Sequence, residues 1–167
     1  MEYKYSVSSV KEFIGLLRQN LAQPLPLADF SSDELFYLPN LAQISTNGMK
    51  RGLDFIADRQ NAITEENLHQ LYQISSGDYL PDEDRLLPDH FYRNAPVYVI
   101  GGEESREGLP VQQLPDAMKR LVDFANAKDV INELHKAAIL HFAFAYYHPY
   151  FDGNGRTARL LLLWYLV

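Results

Sequence analysis

The chain has 167 residues and a formal net charge of −7, from 15 basic against 22 acidic side chains. Such a length is one domain's worth, and 47% hydrophobic residues can bury a core, which excludes a disordered chain. The acidic balance excludes a globally cationic nucleic-acid-binding surface, and the absence of cysteine excludes disulfides, thiolate zinc sites and a cysteine nucleophile.

In chain order, Val7, Val10, Phe13, Ile14, Leu17 and Leu21 recur at helical spacing and predict a first helix, broken by Pro24 and Pro26. Ser31 or Ser32 is placed to cap a second helix, with Asp33 and Glu34 in its first turn. Leu53 to Ile63 reads as a helix, and Thr64 caps another that runs to about Ile74. A polar, loop-like stretch follows from Ser76 to about Asn94. Val97-Tyr98-Val99-Ile100 is a β-branched run, broken by Gly101-Gly102, and Gly108-Leu109-Pro110-Val111 follows a polar loop. The pair predicts a β-hairpin. Pro115 suits the first turn of a further helix. The longest periodic stretch runs from Val130 to about Tyr147 and stops before Pro149, because the residue preceding proline resists the helical conformation. The last helix begins near Gly155 and is apolar nearly all round, which predicts burial. The expected fold is all-α with one hairpin: an N-terminal helical extension over residues 1–58 and a core over 59–167.

The chain ends on Leu-Leu-Leu-Leu-Trp-Tyr-Leu-Val, residues 160–167. A run this short cannot span a bilayer, which needs about 20 residues. It therefore belongs in the core, and no membrane role is expected. The start of the chain lacks the apolar run of a signal peptide, and the missing cysteines fit a reducing compartment, so the expected location is cytoplasmic.

Chemistry is concentrated between His148 and Arg159. Gly153 and Gly155 allow backbone N–H groups to converge where a helix begins, and a helix N-terminus attracts anions. Arg156 and Arg159 lie three apart, on one face of that helix, and two guanidinium forks there suit a polyphosphate. Asp152 supplies a carboxylate at the rim, the donor Mg²⁺ takes alongside phosphate oxygens. The lesser alternative for Asp152 is an N-cap of the last helix. His148, with an ordinary pKa near neutrality, is the candidate general base. Together these residues describe phosphoryl or nucleotidyl transfer. Neither a Walker A loop nor Gly-x-Gly-x-x-Gly is present. A zinc pair of His141 and His148 has no third ligand to complete it.

His148-Pro149-Tyr150-Phe151-Asp152-Gly153-Asn154-Gly155-Arg156-Thr157-Ala158-Arg159 resembles the signature of the Fic domain family, with Tyr150 in the place of the usual Phe. Phe91-Tyr92-Arg93, followed by Val97 to Gly102 with a second arm at Gly108 to Val111, resembles that family's flap. The resemblance implies a helical Fic core that moves AMP from ATP to a hydroxyl of a protein target. In it, His148 would deprotonate the hydroxyl and Asp152 would hold Mg²⁺. Gly153, Asn154 and Gly155 would cradle phosphate, and Arg156 and Arg159 would bind the outer phosphates. The flap, Val97, Tyr98, Val99, Ile100, Gly101 and Gly102, would seat an extended target segment by strand addition. Pro149 and Tyr150 would be structural.

Two departures matter. The family's inhibitory pattern has its nearest likeness at Gln43 to Gly48, where Asn47 stands in place of glutamate. Inhibition is therefore expected to be absent, or to come from a regulatory partner, from self-association or from beyond Val167. Leu163 occupies a position where the family often has an adenine-contacting Asn. This leaves open removal of AMP, transfer of UMP or phosphocholine, and a nucleotide-binding module without turnover. A natural protein longer than this chain is expected, with nucleic-acid binding only in a part not present here.

Overall fold

A computed structural model describes residues 40–101, 104–128 and 130–167. The helices expected in the first 39 residues, and Gly102 of the flap, lie outside the described residues. Five α-helices and one hairpin make up the described chain: α1 Asn40–Ala57, α2 Glu65–Ser75, β1 Tyr98–Gly101, β2 Glu104–Glu107, α3 Leu114–Asn126, α4 Glu133–Tyr147 and α5 Asn154–Leu166. Among the described residues the chain is helical with one two-stranded antiparallel sheet, as expected.

Local chemistry sets most boundaries. Thr64 Oγ1 accepts the Asn67 N–H at 3.1 Å and starts α2. Pro115 sits in the first turn of α3. Asn132 caps α4 by accepting the Leu134 N–H at 3.0 Å, so the helix starts at Glu133, not at Val130 as the apolar pattern has it. The helix expected over Leu53 to Ile63 is instead the end of the longer α1. Asp58 stops it, because its Oδ1 takes the Gln60 N–H at 3.0 Å and its carbonyl the Asn61 N–H at 3.0 Å, forming a local turn.

The hairpin also differs from expectation in its second arm. Tyr98 pairs with Glu107 and Gly101 with Glu104, so the second strand is Glu104–Glu107, and Gly108 to Val111 lies beyond it. Glu-Ser-Arg-Glu carries no apolar alternation, so only pairing to β1 makes it a strand. Val97 extends the ladder by accepting the Gly108 N–H at 2.9 Å.

α5 packs on α4, α2 and α1, and α3 packs on α4. The core joins Leu68, Leu71 and Tyr72 of α2, Leu140 and Phe144 of α4, and Ala158, Leu160, Leu161 and Trp164 of α5. The apolar end of the chain is thus built into the core, and Trp164 Nε1 donates to Asn61 O at 3.1 Å. Among the described residues no helix is long and apolar enough to cross a membrane.

α1 and α2 approach closely at Gly48, where a Cβ would lie 2.7 Å from the Ser75 carbonyl oxygen and 2.7 Å from the Tyr79 ring. Helix propensity alone makes Gly→Ala stabilising by about 1 kcal/mol. Here the collision with backbone dominates, and overpacking costs about 1–3 kcal/mol. Gly48→Ala is expected to lower stability in a denaturant titration, opposite in sign to its helix propensity.

Candidate functional site

The site is built where α4 ends and α5 begins. Pro149 forbids continuation of α4, and His148 ends it in the left-handed conformation, φ 52° and ψ 60°. A histidine seldom adopts this backbone, so something must hold it. Six successive carbonyls at this helix end each meet a donor. The His148 N–H caps Phe144 O at 3.1 Å, and His148 Nδ1 makes a long contact to Ala145 O at 3.4 Å. Arg106 Nη2 reaches Tyr146 O at 3.0 Å, and the Leu109 N–H reaches Tyr147 O at 3.2 Å. Arg93 Nε donates to His148 O at 2.8 Å, and the Arg93 N–H to Pro149 O at 2.9 Å. Four of the six donors belong to the segment 93–109 that carries the hairpin.

Arg93 is almost fully buried, and its other guanidinium nitrogens donate to Ala95 O at 2.8 Å and Leu109 O at 2.5 Å. Burial pushes its pKa down, and Glu107 partly offsets this. Sequence reasoning named Arg93 only as part of a flap resemblance. Its packing role carries no sequence signal, since arginine is rarely fully buried. Ser76 and Arg106 were missed altogether.

A carbonyl can only accept, so the Ala145 contact requires the proton of His148 on Nδ1 and leaves Nε2 with the lone pair. Burial pushes the His148 pKa below 6.5. The Ala145 carbonyl raises it, Arg93 and Arg106 lower it further, and Asp152 opposes them. A neutral imidazole, ready to accept a proton, is therefore the resting form at neutral pH.

The loop from Pro149 to Gly153 rests on aromatic packing. Tyr150 is fully buried and stacks on Tyr72 of α2 with ring centroids 3.7 Å apart. Burial drives its pKa upward, so the ring stays neutral, and that of Tyr72 is pushed up to about 12 by burial and by Asp152. Asn154 is buried, and its side chain closes the loop. Its Oδ1 takes the Tyr150 N–H at 2.9 Å, and its Nδ2 donates to Tyr150 O at 2.9 Å. Both polar atoms of the buried Asn154 side chain are thus engaged in the loop itself.

Gly153 and Gly155 differ in kind. Gly153 adopts φ +80°, and a Cβ there would lie 2.5 Å from Ser76 Cβ, so both conformation and packing demand glycine. Gly155 is exposed, and a Cβ there would meet only Arg159 Nη1 at 3.5 Å, so its lack of a side chain leaves the start of α5 open to a ligand. The first N–H groups of a helix have no intrahelical acceptor. Above this surface, the exposed Arg159 has no hydrogen-bond or ion-pair partner among the described residues. Arg156 lies 3.9 Å from Asp152 Oδ2, while Asp152 Oδ1 accepts the Gly153 N–H at 2.5 Å. Asp152 thus bonds the turn before α5 but is not its N-cap, which is Gly153 with no side-chain cap, and its second oxygen faces Arg156.

No group of three or more His, Asp or Glu side chains able to hold a metal by themselves occurs among the described residues. One outward carboxylate does fit a Mg²⁺ ion that arrives with phosphate oxygens and water. His141 lies on α4, but no third ligand joins it and His148. Tyr98 projects from the hairpin well exposed. Val97 and Val99 are half-buried, and Leu163 is half-buried against the core.

The Fic/DOC family model matches residues 62–166. A protein adenylyltransferase of Caenorhabditis elegans is 45% identical over 49 residues, covering 28% of this chain and 10% of its own length. A probable protein adenylyltransferase of Aquifex aeolicus is 32% identical over 71 residues, covering 42% of this chain and 22% of its own. The matched stretches thus span under a quarter of these relatives. Among solved structures, a Fic domain-containing signalling protein of Bacteroides thetaiotaomicron superposes with TM-score 0.69 at 18% identity, over 95% of this chain and 71% of its own. A Fic family protein of Desulfovibrio desulfuricans gives TM-score 0.59 at 17% identity, over 98% of this chain and 58% of its own.

The two glycines are separable by experiment. Gly153→Ala is expected to cost at least about 2 kcal/mol in chemical denaturation, from left-handed strain plus collision with Ser76. Gly155→Ala is expected to leave stability within about 0.5 kcal/mol of the parent, as an exposed substitution away from strained backbone.

Proposed function

The chain belongs to the Fic/DOC family, and from that premise we propose that it transfers AMP from ATP to a Ser, Thr or Tyr hydroxyl of a protein. The observation that carries this reading is the juxtaposition of a neutral, oriented imidazole with an open helix N-terminus flanked by two guanidinium groups. The adenylyltransferase relatives support the choice of nucleotide.

In this mechanism the α5 N-terminus and the backbone of Gly153, Asn154 and Gly155 bind the phosphates, with Arg156 and Arg159 on the outer ones. Asp152 would hold Mg²⁺, which supplies charge neutralisation of the phosphates when bound. His148 Nε2 accepts the proton of the target hydroxyl as its oxygen forms the bond to the α-phosphorus. The bond from that phosphorus to the bridging oxygen breaks, and pyrophosphate leaves. The Nδ1–H contact to Ala145 O keeps the imidazole oriented for that transfer. The exposed edge of the hairpin would seat the target's backbone, so that the hydroxyl is presented to His148.

Leu163 favours a second reading, the same site carrying a different nucleotidyl group, since an apolar side chain stands where an amide would contact adenine. Thermal-shift titration with ATP, UTP and CDP-choline discriminates the two. Ligand that binds only the folded state raises the melting temperature by mass action, and ATP is expected to give the largest shift.

With labelled ATP and Mg²⁺, wild-type protein is expected to label itself or lysate proteins with AMP, read by mass spectrometry. His148→Ala should reduce labelling about 10²–10⁴-fold, the range of a general base. Absence of both labelling and nucleotide binding in the wild type would refute the proposal. Because His148 must be neutral to accept the proton and its pKa lies below 6.5, the rate is expected to be near its plateau at pH 7. It should fall as pH drops along a limb centred below 6.5.

A further inference from the structure

Of the four donors that the 93–109 segment gives to the end of α4, three are backbone groups or the buried Arg93. The fourth, the Arg106 side chain, is the only one that leaves the hairpin itself. Arg106 lies on β2 opposite Val99 of β1. Its Nη1 returns to Glu107 O at 3.2 Å, its Nη2 reaches Tyr146 O at 3.0 Å, and its guanidinium carbon stands 4.3 Å from the centroid of the Tyr146 ring. Tyr146 is two residues before His148 and stacks in turn on Phe142, with centroids 5.9 Å apart. Arg106 therefore ties the strand pair to the last turn of the helix that ends in the candidate base.

We propose that Arg106 is a positioning residue that couples the pose of the hairpin to the orientation of His148. The inference rests on the reading of the site as a transferase whose target lies along the hairpin. An isolated two-stranded ribbon is only marginally stable, so without a clasp its edge would sample many orientations relative to α4. Through Arg106 the edge that presents the target hydroxyl and the helix end that presents His148 move as one body. A target seated on β1 then finds the imidazole already aligned. Arg106 touches neither nucleotide nor reacting atoms in this scheme. The ion supplies both a fork-shaped donor and a cation over a ring, which a lysine reproduces in part and methionine not at all.

The experiment compares Arg106→Met, Arg106→Lys and Tyr146→Leu with the parent chain. Arg106→Met is expected to lower kcat for AMP transfer at least 10-fold while KM for ATP changes less than 2-fold. Arg106→Lys should recover part of kcat, and Tyr146→Leu, which removes the ring but keeps the carbonyl, should lose less than Arg106→Met. In parallel, the NMR resonances of the His148 ring in nucleotide-free protein should shift or broaden in Arg106→Met and stay near the parent's in Arg106→Lys. That second readout needs no turnover, so it survives failure of the transferase reading. Wild-type kcat together with an unshifted His148 resonance in Arg106→Met would overturn the coupling. So would equal losses in the Met and Lys variants, or a loss carried by KM for ATP.

Discussion

A helix that ends on a left-handed histidine followed by proline leaves carbonyls that must find donors, because a buried acceptor without one costs about 1–3 kcal/mol. At the end of α4 this debt covers six consecutive carbonyls, from Phe144 to Pro149. His148 meets the first two with its own backbone and ring. The other four are met from outside, by Arg106, Leu109 and Arg93. That pattern explains why an arginine is almost fully buried in so small a core. Its fork serves the carbonyls of Ala95, Leu109 and His148 at once.

The same arrangement sets where the proton of the His148 ring lies. Its backbone is held by Arg93 and its ring by Ala145, so its tautomer is chosen and Nε2 is left as the proton acceptor. Burial and the two nearby arginines disfavour the imidazolium, while Asp152 pulls the other way. Structure and electrostatics therefore agree on one resting state, a neutral and oriented imidazole.

On the other side of the loop, rigidity comes from packing. The Tyr72–Tyr150 stack forms its floor, Asn154 ties its ends together, and Gly153 admits Ser76 against the backbone. The apolar body of α5 is buried against α4, α2 and α1, which fixes the direction of its N-terminus. Groups that stand on the first turn of such a helix are preorganised. The hairpin lies outside this packed loop, and its Tyr98 is exposed.

Much of this was legible in the residues. Thr64 and Pro115 announced two helix starts, Pro149 announced the end of α4, and the two glycines after it announced the turn that opens α5. These features are local, since each depends on residues within about four positions, where backbone chemistry rules. Boundaries that depend on competing local bonds were read less well. Asp58 ended α1 early, and Asn132 delayed α4 past Val130. What sequence could not supply was long-range. Nothing in Glu104–Glu107 marks a strand, because its partner β1 decides it. Nothing in Arg93 or Arg106 foretells that they clasp a helix end more than 35 residues away, because a guanidinium's acceptors are chosen by the path of the chain. Likewise Asn154 has the composition of a ligand but folds into a loop tie, and the two glycines of the motif separate into one that packing requires and one that leaves the site open. The order of residues sets which chemical groups are present and which helices carry them. The tertiary structure decided which of those groups hold the site together and which are left facing outward, because burial and hydrogen-bond satisfaction belong to the whole chain.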